Sequence, residues 1–111
     1  MTTRIEKKIE ELFLTENCLL NIEGEILSAF KIIKTLWWDN TTLKVLGETE
    51  QYFKDTFTEQ HRINKNLCTN PCQVCFGIIY SILKKMEKIG LDQVFIEQVL
   101  LRQKLKNENT Q

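Results

Sequence analysis

The chain has 111 residues and carries 15 Lys and Arg against 15 Asp and Glu, so its formal net charge at neutral pH is zero. With 42% hydrophobic and 27% charged residues, it is too apolar for a disordered tail and long enough for one modest core. The zero balance argues against bulk electrostatic binding to nucleic acid, because that mode of binding needs an excess of Lys and Arg.

The amino-terminal segment predicts a cytoplasmic protein that is not bound to a membrane. Residues 1–8 are rich in charge and lead into no apolar run of the signal-peptide kind. The longest mainly apolar stretch, residues 72–83, is too short to cross a bilayer. In the cytoplasm the cysteines are expected to be reduced thiols, metal ligands or redox groups rather than disulfides.

The first predicted element is a helix that begins at a capping box formed by Thr3 and Glu6. Its apolar face contains Ile5, Ile9, Leu12 and Phe13. Residues 15–24 include two Asn and one Gly, which favours a break and therefore two helices. One long helix with a weak middle is the alternative, because the register of apolar positions continues through this segment.

A second helix is predicted from about Ile22 to Trp38, with Leu27 and Trp38 on the side opposite its core-facing residues. The core-facing residues of this helix are Ile22, Ile26, Ala29, Phe30, Ile33, Leu36 and Trp37. The segment from Asp39 to Thr42 predicts a turn and an N-cap for a third helix. The core-facing residues of that helix are Leu43, Leu46, Phe53 and Phe57.

The single proline marks the clearest predicted helix start. Asn70 can cap a fourth helix, and Pro71 suits its first position. Gly90 is expected to end this helix, because glycine readily adopts the left-handed conformation found there. A last helix is predicted from a cap at Asp92 to about Lys106, with Leu91 packing on Ile96 as a hydrophobic staple.

These elements together predict an all-α protein, a compact bundle of four to five amphipathic helices. No internal repeat, linker or low-complexity tract interrupts the sequence. A single helical domain over residues 1–111 is therefore expected, with a frayed tail at 107–111.

A cysteine cluster is the one constellation with chemical potential. Cys68, Cys72 and Cys75 form C-x3-C-x2-C, and Cys18 or His61 would complete four ligands for zinc or an iron–sulfur cluster. Radical-SAM enzymes use this spacing, but the resemblance ends with the three cysteines, and those enzymes need a much larger partial barrel. Cys72 and Cys75 also fall on the predicted apolar stripe of the fourth helix, where buried, inert cysteines are common. Structural thiols are therefore favoured, and a metal-binding redox sensor is the alternative.

No pattern in the sequence predicts catalysis or a resident cofactor. Carboxylate pairs such as Glu10 and Glu11 fall on surface-like positions. The four glycines are isolated, so they form no phosphate-binding loop. We therefore predict that the protein is not an enzyme.

Apolar residues outside the core stripes predict a protein-binding surface at Leu27, Trp38, Ile96 and Leu100. Ile96 and Leu100 are one turn apart, and the opposite side of the last helix contains Val94, Phe95, Leu101 and Leu105. A helix that is apolar on two sides usually lies between layers or at a subunit contact, and the alternative is that a fifth helix covers these residues. The predicted function is therefore protein binding by an accessory, adaptor or inhibitory subunit that forms a homodimer.

A nucleic-acid-binding regulator is the second alternative, based on a basic face with Lys84, Lys85 and Lys88. Glu87 lies among these lysines and dilutes their charge. A solvated helix face is therefore the favoured interpretation of this cluster.

Overall fold

The computed structural model describes Lys7, Glu10 and residues 22–36, 38–57 and 73–109. Within these residues the chain forms helices and no strand, which confirms the all-α prediction. The four helices delimited there are α1 (Glu23–Thr35), α2 (Asn40–Phe57), α3 (Gln73–Lys88) and α4 (Asp92–Asn109). None of these helices is long and apolar enough to cross a membrane.

The four helices pack in a closed ring around one core. Each helix packs against its neighbour in the sequence, and α4 closes the ring by packing extensively on α1. The rings of Phe30 in α1 and Phe95 in α4 have centroids 4.9 Å apart. Phe53 and Phe57 of α2 are fully buried and stack on each other at 5.3 Å. The helical bundle is thus held mainly by burial of large apolar side chains.

The start of α1 separates it from any helix nearer the amino terminus. Ile22 is buried but has non-helical angles, φ −128° and ψ 17°, and its carbonyl oxygen accepts the Ile26 N–H at 3.0 Å. Lys7 and Glu10 are helical and exposed. A helix that contains them does not run unbroken into α1, so the interpretation with two helices is the right one.

The end of α1 differs from the prediction. The helix stops at Thr35, whose hydroxyl donates a hydrogen bond to the Ile32 carbonyl at 2.6 Å, and Leu36 is extended. Leu36, predicted to face the core, is 49% exposed. Trp38 lies after the helix, and its indole N–H donates to the Ile33 carbonyl at 2.6 Å. Placing Trp38 on a face of this helix was therefore wrong.

Asp39 caps α2, within the segment 39–42 for which the sequence predicts a turn and an N-cap, and residues 40–42 form the first turn of the helix. Its carboxylate accepts the Thr42 N–H at 2.8 Å, and its carbonyl accepts the Leu43 N–H at 3.0 Å. The pKa of the Asp39 carboxyl lies below its ordinary value of 3.8, first because the Thr42 side chain donates to it and then because the Thr42 amide does. This cap makes α2 start sharply after α1.

Gly90 ends the α3 region in the left-handed conformation, with φ +73°, as predicted. The N–H of Leu91 reaches the Met86 carbonyl at 2.9 Å, and the N–H of Gly90 reaches the Glu87 carbonyl at 3.0 Å. The Leu91 carbonyl already accepts the Phe95 N–H at 2.9 Å, so α4 begins one residue earlier than predicted. The α4 helix continues to Asn109, beyond the end predicted near Lys106.

Candidate functional site

The predicted protein-binding residues do not form an exposed surface. Ile96 is fully buried in the core, so its assignment to the outer side of the last helix was wrong. Leu27, Trp38 and Leu100 are half-buried and pack against the core. The reason is the rotation of α4 about its axis: Phe95 packs on Phe30 of α1, and this contact turns Ile96 inward.

The opposite side of α4 is the one that faces solvent. Leu101 is 42% exposed and Leu105 is 40% exposed, although the sequence placed both towards the core. Val94 and Gln98 are half-buried and precede them on the same side of the helix. We call this set of four residues the outer seam: Val94, Gln98, Leu101 and Leu105. Their spacings of four, three and four match alternate d and a positions of a heptad, a signal that was present in the sequence.

Charged residues on one edge of the outer seam are open to solvent. Glu97 and Lys104 are both exposed. The Gln93 side-chain amide donates to Glu97 at 3.0 Å. Among the residues that the structure describes, neither Glu97 nor Lys104 has an ion-pair partner. This edge therefore offers one acidic and one basic group to an approaching surface.

The other edge of the outer seam faces α1. The Arg102 guanidinium is 3.4 Å from the Gln98 side-chain oxygen, and Arg102 itself is half-buried. The Lys106 amine lies 3.5 Å from the Glu25 carboxylate of α1. The Lys106–Glu25 ion pair joins α4 to α1 on this edge, and the Arg102–Gln98 contact lies within α4, so the Glu97 edge is the more open of the two.

A hollow of about 580 Å³ lies at the turn between α1 and α2, lined by Trp38, Asp39, Asn40 and Thr42. Two of the polar groups that line this hollow, the Trp38 indole N–H and the Asp39 carboxylate, already have internal partners. The Trp38 N–H is bound to a backbone carbonyl, and the Asp39 carboxylate is bound to Thr42. Trp38 therefore fixes the turn, and its indole N–H is not offered to a partner.

An aromatic side chain on α3 is exposed next to the predicted basic face. Phe76 is 37% exposed, and its ring stacks with the Tyr80 ring at a centroid distance of 6.3 Å. The Lys84 amine lies 6.0 Å from the Tyr80 ring centroid. The Lys85 amine lies 4.4 Å from the Tyr52 ring of α2, which leaves Lys84 and Lys88 as the exposed lysines of this face.

The predicted metal ligands lie mostly beyond what the structure describes. Cys18, His61, Cys68 and Cys72 are outside the described residues. Cys75 is described and is fully buried. Within the described ranges no group of three or more His, Cys, Asp or Glu is placed to hold a metal ion. Metal binding by this cluster stays a prediction.

We found no match to a protein-family model, to a curated protein or to a solved structure.

Proposed function

We propose that this protein has no catalytic activity and acts by binding another protein through the outer seam of α4. The observation behind the proposal is the pair of exposed leucines, Leu101 and Leu105, one helical turn apart. Single exposed apolar residues are common, but an adjacent pair on a regular helix presents a continuous apolar strip. A helix that offers such a strip is a usual element of protein recognition, because a partner can cover it without rearranging the bundle.

The charges beside the strip support the same proposal. Glu97 and Lys104 border the leucines on the open edge, so a partner meets an apolar centre with a polar rim. Two acidic residues elsewhere have structural roles. Glu50 of α2 is nearly buried and binds the Lys34 amine of α1 at 2.6 Å, and Asp39 caps α2. An accessory, adaptor or inhibitory subunit fits these features.

The test compares two substitutions that introduce the same charge at exposed leucines. Leu101→Asp places a carboxylate in the outer seam, whereas Leu36→Asp places one at the α1–α2 turn. Tagged forms of both variants and of the wild type are expressed in the cells that produce the protein, crosslinked and purified. We expect the proteins recovered with the wild type to be lost with Leu101→Asp and kept with Leu36→Asp. Circular dichroism verifies that both variants are folded.

Two results would contradict the proposal. Recovery of the same proteins with folded Leu101→Asp as with the wild type would exclude the outer seam as the binding surface. If the recovered proteins were lost equally with Leu36→Asp, the loss would come from the added charge and would be independent of its position.

Binding to single-stranded nucleic acid is a second candidate, favoured by the line of Phe76, Tyr80 and Lys84 on α3. Exposed aromatic rings can stack with bases, and a neighbouring lysine can pair with phosphate. Fluorescence anisotropy with a labelled single-stranded oligonucleotide tests this candidate. We expect affinity to fall with Phe76→Ala and with added salt. A binding curve that is unchanged by both would refute this candidate.

A further inference from the structure

We infer that the partner of the outer seam is a second copy of this chain, whose α4 packs antiparallel to α4 of the first copy. This inference rests on the proposed function and adds the identity and orientation of the partner.

The outer seam is suited to a helix pair. Val94 and Leu101 occupy d positions, and Gln98 and Leu105 occupy a positions, within the regular helix α4. In an antiparallel pair, a positions of one helix meet d positions of the other. Leu105 then packs on Val94 of the second copy, and Leu101 packs on Gln98 of the second copy. A two-fold axis repeats both contacts, so the apolar strip is covered along its length.

The same register pairs the exposed charges. Glu97 and Lys104 are both g positions, and g positions face each other in an antiparallel pair. Glu97 of each copy therefore meets Lys104 of the other, which gives two ion pairs on the open edge. Neither residue has an ion-pair partner among the described residues of its own chain, so both charges are available to a second copy. Charge complementarity thus selects a second copy as the partner.

A parallel pair fits the structure less well. In that arrangement Glu97 would have to reach Arg102 of the second copy, because g positions then face e positions. Arg102 is half-buried and is directed to Gln98 on the edge that faces α1. The antiparallel arrangement is favoured because it pairs Glu97 with Lys104, and both of these residues lie on the open edge.

The proposed contact between the two copies is small, and its area sets the expected affinity of the dimer. Four seam residues and two charged pairs cover less than the roughly 800 Å² per partner of a standard stable interface. We therefore expect monomer and dimer to exchange, with a dimer fraction that rises with protein concentration.

Reversing the charges tests the inference. Sedimentation velocity over a concentration series is measured for the wild type, Glu97→Lys, Lys104→Glu and the double variant with both changes. Each single variant creates two like-charge contacts across the axis, so we expect the dimer dissociation constant to rise by about tenfold. The double variant restores both pairs with exchanged signs, and its dissociation constant should return to near the wild-type value. Both positions are exposed, so thermal melts should show intact folds.

The outcomes separate the inference from the proposed function. A wild type that is monomeric at every concentration, or a dimer that the single variants leave unchanged, would overturn the second copy as partner. Weakening by the single variants without restoration in the double variant would overturn the antiparallel register. In each case the proposed function stands if proteins that are purified from cells with the wild type are absent from the Leu101→Asp purification. It fails if Leu101→Asp affects neither self-association nor that recovery.

Discussion

Substituting Ile96 tests the orientation of α4, on which the outer seam depends. The structure turns Ile96 into the core and Leu101 towards solvent, the reverse of the assignment that the sequence suggested. Ile96→Ala and Leu101→Ala remove similar apolar volumes from the same helix. Alanine has the highest helix propensity, so the small intrinsic gain is similar in both variants. Their difference in stability therefore reports which side of α4 is buried.

The expected magnitudes follow from burial. Ile96 is fully buried, so its truncation loses the transfer free energy of the side chain and leaves a cavity, at a cost of about 3 kcal/mol. Leu101 is 42% exposed and can be replaced by water on its outer side, so we expect a cost of about 1 kcal/mol or less. For a chain of this size, 3 kcal/mol corresponds to roughly 10 °C or more in melting temperature.

Urea denaturation followed by circular dichroism measures the two free energies of unfolding. The measurement is made at several low protein concentrations, and values that do not depend on concentration show that self-association does not contribute. If Ile96→Ala is too unstable to fold, Ile96→Val gives a graded change of about 1 kcal/mol. Leu101→Ala as costly as Ile96→Ala would show that α4 is rotated differently, and the outer seam would then be refuted.

Four further predictions test other features of the fold. Gly90→Ala should destabilise the protein by about 1 kcal/mol, because φ is +73° and the strain is conformational rather than steric. Gly47 lies in the middle of α2, and a Cβ added there meets open space, so Gly47→Ala should be neutral or stabilising in the same urea titration. A larger loss of stability with Gly47→Ala than with Gly90→Ala would contradict the left-handed conformation of Gly90. Lys34→Ala should cost about 1 to 2 kcal/mol, since it leaves a nearly buried carboxylate without the amine 2.6 Å away; a change within error would show that solvent screens this pair. Hydrogen bonds from Thr42 lower the pKa of Asp39, so its charged form stabilises the fold above the ordinary value of 3.8, and this contribution is lost as the pH falls through the lower, folded-state pKa. Melting temperatures measured over that acid range should therefore fall more steeply for the wild type than for Asp39→Asn. Melting temperatures that fall equally in both proteins would argue against the cap. For the cysteine cluster, anaerobic purification followed by metal analysis and a visible absorption spectrum should give colourless, metal-free protein if the thiols are structural, whereas bound zinc or an iron–sulfur chromophore would establish the metal site.

Signals that act over a few residues predicted local structure well. Gly90 ends the α3 region because glycine adopts a positive φ without strain, and Asp39 caps α2 because its carboxylate reaches an amide three residues ahead. Both effects depend only on neighbours in the chain. The periodicity of Leu46, Phe53 and Phe57 likewise identified the buried side of α2, because this helix has one clearly apolar face.

Two features were not predicted: the local end of α1 at Thr35, and the side of α4 that is buried, which depends on contacts between helices. Trp38 was assigned to a helix face, but α1 ends at Thr35, and the indole folds back onto the Ile33 carbonyl. The seam leucines were assigned to the core, although a heptad pattern through Gln98 was present in the sequence. A pattern that fits two sides of one helix does not say which side meets the bundle.

The sequence by itself determined that this chain is all-α, and it placed the end of the α3 region at Gly90 and an N-cap for α2 within residues 39–42. The zero net charge of the chain is matched locally, since the oppositely charged Glu97 and Lys104 lie on the same edge of α4. Tertiary structure alone decided which apolar side of α4 is buried. The packing of the buried Phe95 ring on Phe30 sets the rotation of α4 against α1, and the half-exposed ion pair between Lys106 and Glu25 adds little to it. That rotation buries Ile96 and leaves Leu101 for a partner, because one helix can bury only one of its two apolar sides in a single core.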